Sequence, residues 1–217
     1  MRILIEVPTY DGRISRSTSE SLWRLDRCGH EVDYRARAGY GCAMARNRIV
    51  ADAINARYDR VLMVDNDIEL PPDALRNLLE EPAFVVMGYY LNRYSRGEER
   101  YTTVYHDTGP EWTMYAADEL RALREAGTNR VRIRGGGMGC CLIDPSLFAL
   151  LSFPWFEWTD LAREHVEAED VYQCHDAFTS GGEDINFCNS VRCAGVPIWV
   201  DTRVACGHEF REVKWPE

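Results

Sequence analysis

Residues 61–67 read Val61-Leu62-Met63-Val64-Asp65-Asn66-Asp67, four apolar residues running straight into two carboxylates set two positions apart. An unbroken apolar run of this length fits a strand covered on both faces, as in a parallel sheet flanked by helices. Open α/β sheets bind their ligands beyond the carboxyl ends of the strands, and that is where this reading puts Asp65 and Asp67. Carboxylate oxygens suit Mg²⁺ or Mn²⁺, which take one or two protein carboxylates and fill the remaining positions with water and phosphate oxygens.

Strand and helix patterns alternate on both sides of this segment. Arg2 to Val7 reads as a buried first strand. Ser15 to Cys28 reads as a helix opened by capping serines and closed by Gly29. Glu31 to Arg37 alternates as a second strand, and Ala43 to Arg57 sets Ile49, Val50, Ala53 and Ile54 on one helical face. Pro71 and Pro72 open a helix over Asp73 to Glu80, where a missing amide donor does no harm, and Phe84 to Tyr90 is a further strand. The alternation predicts an α/β fold with a mixed, mostly parallel central sheet.

The second half is less regular. Asn92 to Thr108, polar and rich in Arg and Tyr, reads as a long loop or exposed hairpin. Asp118 to Ala126 is a short helix ended by Gly127, and Val131 to Arg134 leads through Gly135-Gly136-Gly137-Met138-Gly139 into the apolar Cys140 to Ile143. An aromatic cluster follows over Phe153 to Trp158, then a helix over Glu183 to Cys193 and short strands over Ile198 to Val200 and Arg203 to Cys206. Neither a repeat nor a low-complexity linker interrupts the chain, which predicts one domain over 1–217.

Composition narrows the function classes. The 217 residues are 46% hydrophobic and 28% charged, with 25 Lys and Arg against 35 Asp and Glu and a formal net charge of -10. An acidic balance of this size disfavours non-specific binding to a phosphate backbone. The opening apolar run is broken by Arg2 and Glu6 and stopped by Pro8, too short for a signal peptide. No segment approaches the roughly 18 apolar residues of a membrane span, so a cytoplasmic chain without integral membrane contact is expected. The eight cysteines include no CxxC pair. They read as reduced, mostly buried thiols, with a zinc site drawn from Cys174, His175, Cys188, Cys193, Cys206 or His208 as the lesser alternative.

Two further groups carry chemistry. Gly181-Gly182-Glu183-Asp184 puts a carboxylate pair at a helix start, where one of them can take a proton from a hydroxyl. His208 follows 24 residues after Asp184, beside Gly207, and its imidazole suits a metal site. Trp155, Phe156 and Trp158 fit either stacking on a sugar face or sealing a core. Arg93, Arg96 and Arg100 read first as a solvated charged loop, with contact to a diphosphate as the alternative.

Taken in order, the strand with Asp65-Asn66-Asp67, the glycine-rich segment, Glu183-Asp184 and the late His208 resemble metal-dependent glycosyltransferases of the GT-A fold, nearest to family 2. The resemblance spans nearly the whole chain. It implies a nucleotide-sugar-binding half over 1–90 and an acceptor-binding half over 91–217. Pro8, Thr9 and Tyr10 then correspond to the first-strand loop that receives the base, and Arg46 and Asn47 to a helix start contacting base or diphosphate. Asp65 and Asn66 border the nucleotide sugar, and Asp65, Asp67 and His208 bind Mn²⁺ or Mg²⁺. Gly136 and Gly137 lie near an acceptor saccharide, with Trp155 and Trp158 stacking on it. Asp184 is the base that deprotonates the acceptor hydroxyl, and Glu183 orients it. The donor so implied is a nucleoside-diphosphate sugar, on uridine or guanosine.

The chain departs from the family in being short and in lacking the carboxyl-terminal membrane helices of processive synthases. Asn189-Ser190-Val191-Arg192-Cys193 stands where those enzymes carry a QxxRW-type motif. A single, non-processive transfer is therefore expected. Three alternatives remain at this stage. One is a nucleotidyltransferase, for which Pro8 to Arg13 is a poor phosphate loop. Another is a non-catalytic nucleotide-sugar-binding module. The third is transfer to a modified nucleic-acid base, for which Arg93, Arg96, Arg100, Arg130, Arg132 and Arg134 would form a basic stripe.

Overall fold

A computed structural model describes residues 1–93, 100–109, 112–158 and 182–209. Arg96, His165, Cys174, His175 and Gly181 lie outside the described residues. The strands are β1 (Arg2–Thr9), β2 (Glu31–Ala38), β3 (Arg60–Val64), β4 (Ile68–Glu69), β5 (Val85–Tyr89), β6 (Tyr101–His106), β7 (Met114–Ala116), β8 (Arg130–Gly136), β9 (Cys140–Ile143), β10 (Ile198–Ala205) and β11 (Gly207–His208). The helices are α1 (Arg16–Arg24), α2 (Cys42–Asn55), α3 (Ala74–Leu79), α4 (Ala117–Glu125) and α5 (Glu183–Cys193), with a 3-10 turn over Pro145–Leu150.

The main sheet has the order β2-β1-β3-β9-β5-β10-β8-β6-β7. Strands β1, β2, β3, β5, β6 and β10 run one way, and β7, β8 and β9 run the other. The expected mixed, mostly parallel α/β sheet is thus present. Its centre interleaves early and late sequence, since β5 lies between β9 and β10.

Period-two side-chain alternation divides the core between the two faces of the sheet. Leu4, Val61, Met63, Cys141 and Ile143 face α2 and α5, whose Ile49, Val50, Ala53, Phe187 and Val191 close that layer. Ile3, Ile5, Leu62, Val64 and Leu142 face the opposite way, onto Ala74, Leu75 and Leu78 of α3. Strands apolar at every position, as Val61 to Val64 are, need cover on both faces, and three layers provide it.

Three elements differ from their sequence reading. Helix α1 ends at Arg24 and not at Cys28, because Leu25 turns extended and is buried. The left-handed Cys28 (φ 52) and Gly29 (φ 72) then serve the turn into β2. The polar segment after Asn92 is not simply loop or exposed hairpin. Its residues 101–106 form β6 inside the main sheet, between β7 and β8, with Thr102 and Val104 fully buried. The Thr102 hydroxyl donates to the Tyr115 carbonyl at 2.9 Å, so a polar residue is accommodated without an orphaned group. The two short strands near residue 200 are one strand, β10, whose register against β5 shifts between Val200 and Ala205. Asp201 made it read as broken. Its buried carboxylate accepts from Arg203 Nη2 at 2.7 Å and faces Arg130 Nε at 3.6 Å.

The glycine run is largely a packing device. A Cβ on Gly135 would stand 2.7 Å from Cys188 Cβ on α5, and one on Gly136 2.8 Å from Val104 Cγ1 and 3.1 Å from Met87 Sδ. Gly135 therefore lets α5 lie close on β8, which sets the position of α5's acidic first turn. Gly135→Ala should cost about 1–3 kcal/mol of stability by overpacking, read as a lower urea midpoint at unchanged slope.

Candidate functional site

The site lies where the carboxyl ends of β3 and β5 meet the amino end of α5. Asp65 keeps the side-chain parity of Val61 and Met63 and so faces α2 and α5. A tight turn follows, with Ile68 N bonded to Asp65 O at 3.2 Å, and it carries Asp67 away from that face. The two aspartates consequently have different partners.

Asp65 belongs to a carboxylate–guanidinium cluster. Arg46, with a side chain only 4% exposed, donates from Nη2 to Asp65 Oδ1 at 2.8 Å and from Nη1 to Glu183 Oε1. Glu183, 6% exposed, opens α5 with Asp184 beside it. Burial raises the Glu183 pKa above its ordinary value, against the opposing pull of the Arg46 charge. Burial raises Asp184 in the same way, again opposed by Arg46. Asp184 Oδ1 accepts from Ile185 N at 2.8 Å, and the carboxylate lines a cleft of about 480 Å³ together with Asp65, Tyr90, Tyr105, Gly137 and Trp158. Burial holds the Tyr105 phenol at about 12, so this ring stays neutral beside the acid.

Asp67 belongs to a second cluster. Strands β4 and β11 pair antiparallel with Ile68 opposite His208, and Glu209 N bonds to Asp67 O at 2.9 Å. This two-strand ladder brings a late histidine to an early aspartate: His208 Nε2 stands 3.6 Å from Asp67 Oδ2. His208 Nδ1 is 2.8 Å from the Leu91 carbonyl, and Arg93 Nε is 3.3 Å from Nε2. A carbonyl only accepts and a guanidinium only donates, so these contacts set the proton on Nδ1 and the lone pair on Nε2. The ring also meets Tyr90 edge-on, at a centroid distance of 5.0 Å. Burial raises the Asp67 pKa, but the His208 imidazole in its protonated form and the Arg93 guanidinium outweigh it and leave the pKa below its ordinary value.

A divalent cation fits this pair. Carboxylate oxygen and imidazole nitrogen converge on one point, a carbonyl behind the ring fixes its tautomer, and a cationic group already faces both donors. Among the described residues no group of three or more His, Cys, Asp or Glu is placed to hold a metal. Two protein ligands suffice where phosphate oxygens complete the shell. Asp65, expected to share the metal, is instead engaged by Arg46. Cys28, Cys42, Cys140, Cys141, Cys188, Cys193 and Cys206 are free thiols.

The other expected contacts separate into cleft and scaffold. Pro8 and Thr9 are buried, and the Thr9 hydroxyl donates to Arg13 O at 2.9 Å, whereas Tyr10 is 80% exposed. Asn66 donates to the same Arg13 carbonyl at 2.9 Å and lines a second hollow of about 470 Å³ with Asp11, Arg13, Ser15, Asp67 and Arg93. Asn47 is a brace: its amide donates to the carbonyls of Ala43 and Phe156 and accepts from the nitrogens of Trp155 and Phe156. Gly137 lines the cleft, while Gly136 packs inward. Trp155 packs on Phe148 and Phe153, whereas Trp158 is 66% exposed at the cleft. Three of the stripe arginines are engaged within the chain. Arg130 donates to the carbonyls of Leu78 and Asn77, Arg132 pairs with Asp107 at 2.9 Å, and Arg134 lies over the Trp112 ring. Tyr90 and Tyr105 escaped the sequence reading. Tyr90 follows β5 at the sheet's carboxyl edge, a position where that edge rule alone flags a ligand-facing residue.

Among the solved structures that the chain resembles, two superpose over nearly its whole length. A197 from STIV matches with a TM-score of 0.59 and 17% identity over 97% of this chain and 87% of that one. GalNAc-T7, solved with UDP, GalNAc and Mn²⁺, matches with a TM-score of 0.60 and 13% identity over 96% of this chain. The chain has a GT-A-like α/β fold. It spans 44% of the GalNAc-T7 chain. No protein-family model matches the sequence, and neither does any curated protein. No helix among the described residues is long and apolar enough to cross a membrane.

Proposed function

We propose that the chain is a metal-dependent glycosyltransferase that moves one sugar from a nucleoside-diphosphate donor to an acceptor hydroxyl. The observation that carries this reading is the adjacency of two unlike acidic centres in a GT-A-like fold. Asp184 is a carboxylate of raised pKa in a cleft, and Asp67 with His208 is a donor pair suited to a hard cation. A raised pKa makes a carboxylate a better base for a hydroxyl proton.

In this reading the acceptor lies in the cleft against Trp158 and Tyr105, with its hydroxyl toward Asp184. Asp184 takes the hydroxyl proton as the oxygen attacks the anomeric carbon. The diphosphate leaves with its electron pair on the side of Asp67. Asp67 and His208 would hold Mn²⁺ or Mg²⁺, which supplies charge neutralisation to the departing diphosphate. Glu183, held by Arg46, fixes the first turn of α5 and with it Asp184. Tyr10, Asn66 and the loop over residues 10–13 border the nucleotide. With Arg130 and Arg132 engaged by acceptors of the chain itself, a saccharide hydroxyl is a better acceptor than a nucleic-acid base.

The test is thermal unfolding with a panel of nucleotide sugars in Mn²⁺, in Mg²⁺ and in chelator. A ligand at 100 times its Kd stabilises by about 2.7 kcal/mol, which moves Tm by roughly 5–10 °C in a chain of this size. One uridine or guanosine diphosphate sugar should give that shift, and chelator should remove it. No response to any member of the panel overturns the donor site, and a shift indifferent to chelator overturns its metal dependence.

A further inference from the structure

We propose that the Arg93 guanidinium occupies the divalent-cation position of the metal-free enzyme, is displaced by the cation, and then serves the donor diphosphate. This rests on the proposed metal-dependent function. Arg93 pairs with Asp67 Oδ2 through Nη2, while its Nε faces the lone pair of His208 Nε2 at 3.3 Å. One cationic group thus meets both atoms that would bind a metal, and it meets the imidazole on the nitrogen that the Leu91 carbonyl leaves unprotonated.

The two sides of this contact are held very differently. The His208 side chain is 7% exposed and Asp67 22%, whereas Arg93 is 61% exposed. Asp67 and His208 are fixed by the β4–β11 ladder, by the Leu91 carbonyl and by the Tyr90 ring. A solvated guanidinium on such a rigid pair is held weakly. It neutralises Asp67 without metal and yields to a cation that both donors prefer. Arg93 also lines both hollows, the one with Asp11, Arg13 and Asn66 and the one with Asp65 and Asp184. Once displaced, its planar fork is beside the volume through which a donor diphosphate passes, and that fork suits phosphate oxygens.

The experiment titrates Mn²⁺ alone into wild type, Arg93→Gln and Asp67→Asn without nucleotide, following free Mn²⁺ by electron paramagnetic resonance. Inorganic pyrophosphate is then titrated at saturating Mn²⁺. Removing an internal competitor raises apparent affinity by the inverse of the fraction of time the site is open. Arg93→Gln should therefore bind Mn²⁺ about three- to tenfold more tightly than wild type, Asp67→Asn should lose binding, and Arg93→Gln should bind pyrophosphate about tenfold more weakly. Unchanged or weaker Mn²⁺ binding in Arg93→Gln, with binding still dependent on Asp67, overturns the displacement and leaves the metal site standing. Unchanged pyrophosphate affinity overturns the diphosphate role. Absence of Mn²⁺ binding in both wild type and Arg93→Gln overturns this proposal and the metal site together.

Discussion

Asp184→Asn is expected to cut sugar transfer by about 10²–10⁴-fold, the usual contribution of a positioned general base, while donor-dependent thermal stabilisation stays at its wild-type value. The substitution is nearly isosteric and keeps the oxygen that accepts from Ile185 N at 2.8 Å, so the first turn of α5 has no reason to move. The amide cannot take a proton from a hydroxyl. The pH profile supplies a second readout. A base works deprotonated, so kcat/KM falls as pH drops through its pKa. Burial has raised that pKa above the ordinary 3.8 of an aspartate, which places the acid limb at higher pH than an exposed aspartate would give. The residual activity of the variant should lack this limb. Wild-type activity in Asp184→Asn, or an acid limb that persists there, removes Asp184 as the base and leaves it a positioning residue.

The sequence was most informative where local pattern and tertiary context agree. Val61 to Val64 is apolar at every position because the strand is covered on both faces, and that pattern alone implies the layered sheet. It was least informative where one residue served a distant partner. Thr102 and Asp201 made buried strands read as loop or as broken, since the Tyr115 carbonyl and Arg130 that meet them come from other strands, while Arg203 reaches Asp201 from two residues along the same strand. At the site, Asp65 and Asp67 were legible as a pair, but their divergence was not. It follows from strand parity ending at Asp65 and from a turn closed by the Ile68 amide. Arg46 read as a base or diphosphate contact only through the resemblance to GT-A enzymes. Its burial against Glu183 depends on an approach between α2 and α5 that sequence order does not encode. Arg93 read as a solvated loop residue because the ladder bringing His208 to Asp67 pairs only two residues on each side.

That buried arginine carries the largest stability effect. Arg46→Met keeps an unbranched apolar stem but removes the cation that Asp65 and Glu183 share. Breaking a buried pair by deleting one partner costs about 3–5 kcal/mol, because the other charge stays behind without compensation. Against a total of roughly 5–15 kcal/mol for a domain, this is a large fraction of the stability, and urea unfolding should show it directly. Glu183 is the group left in difficulty. Burial already raises its pKa in the native state, with Arg46 opposing, so removing Arg46 raises it further. A carboxylate whose folded pKa exceeds its unfolded pKa binds more protons when folded, and the protein gains stability as pH falls. The deficit of Arg46→Met should therefore be largest at neutral pH and shrink on acidification as Glu183 takes up a proton. Adding Glu183→Gln removes the stranded charge, so the double variant should be more stable than Arg46→Met alone, with a coupling energy of about 1–3 kcal/mol. Additive losses, or a deficit independent of pH, would mean that Arg46 acts by packing its aliphatic stem and not by holding the two carboxylates that frame the cleft.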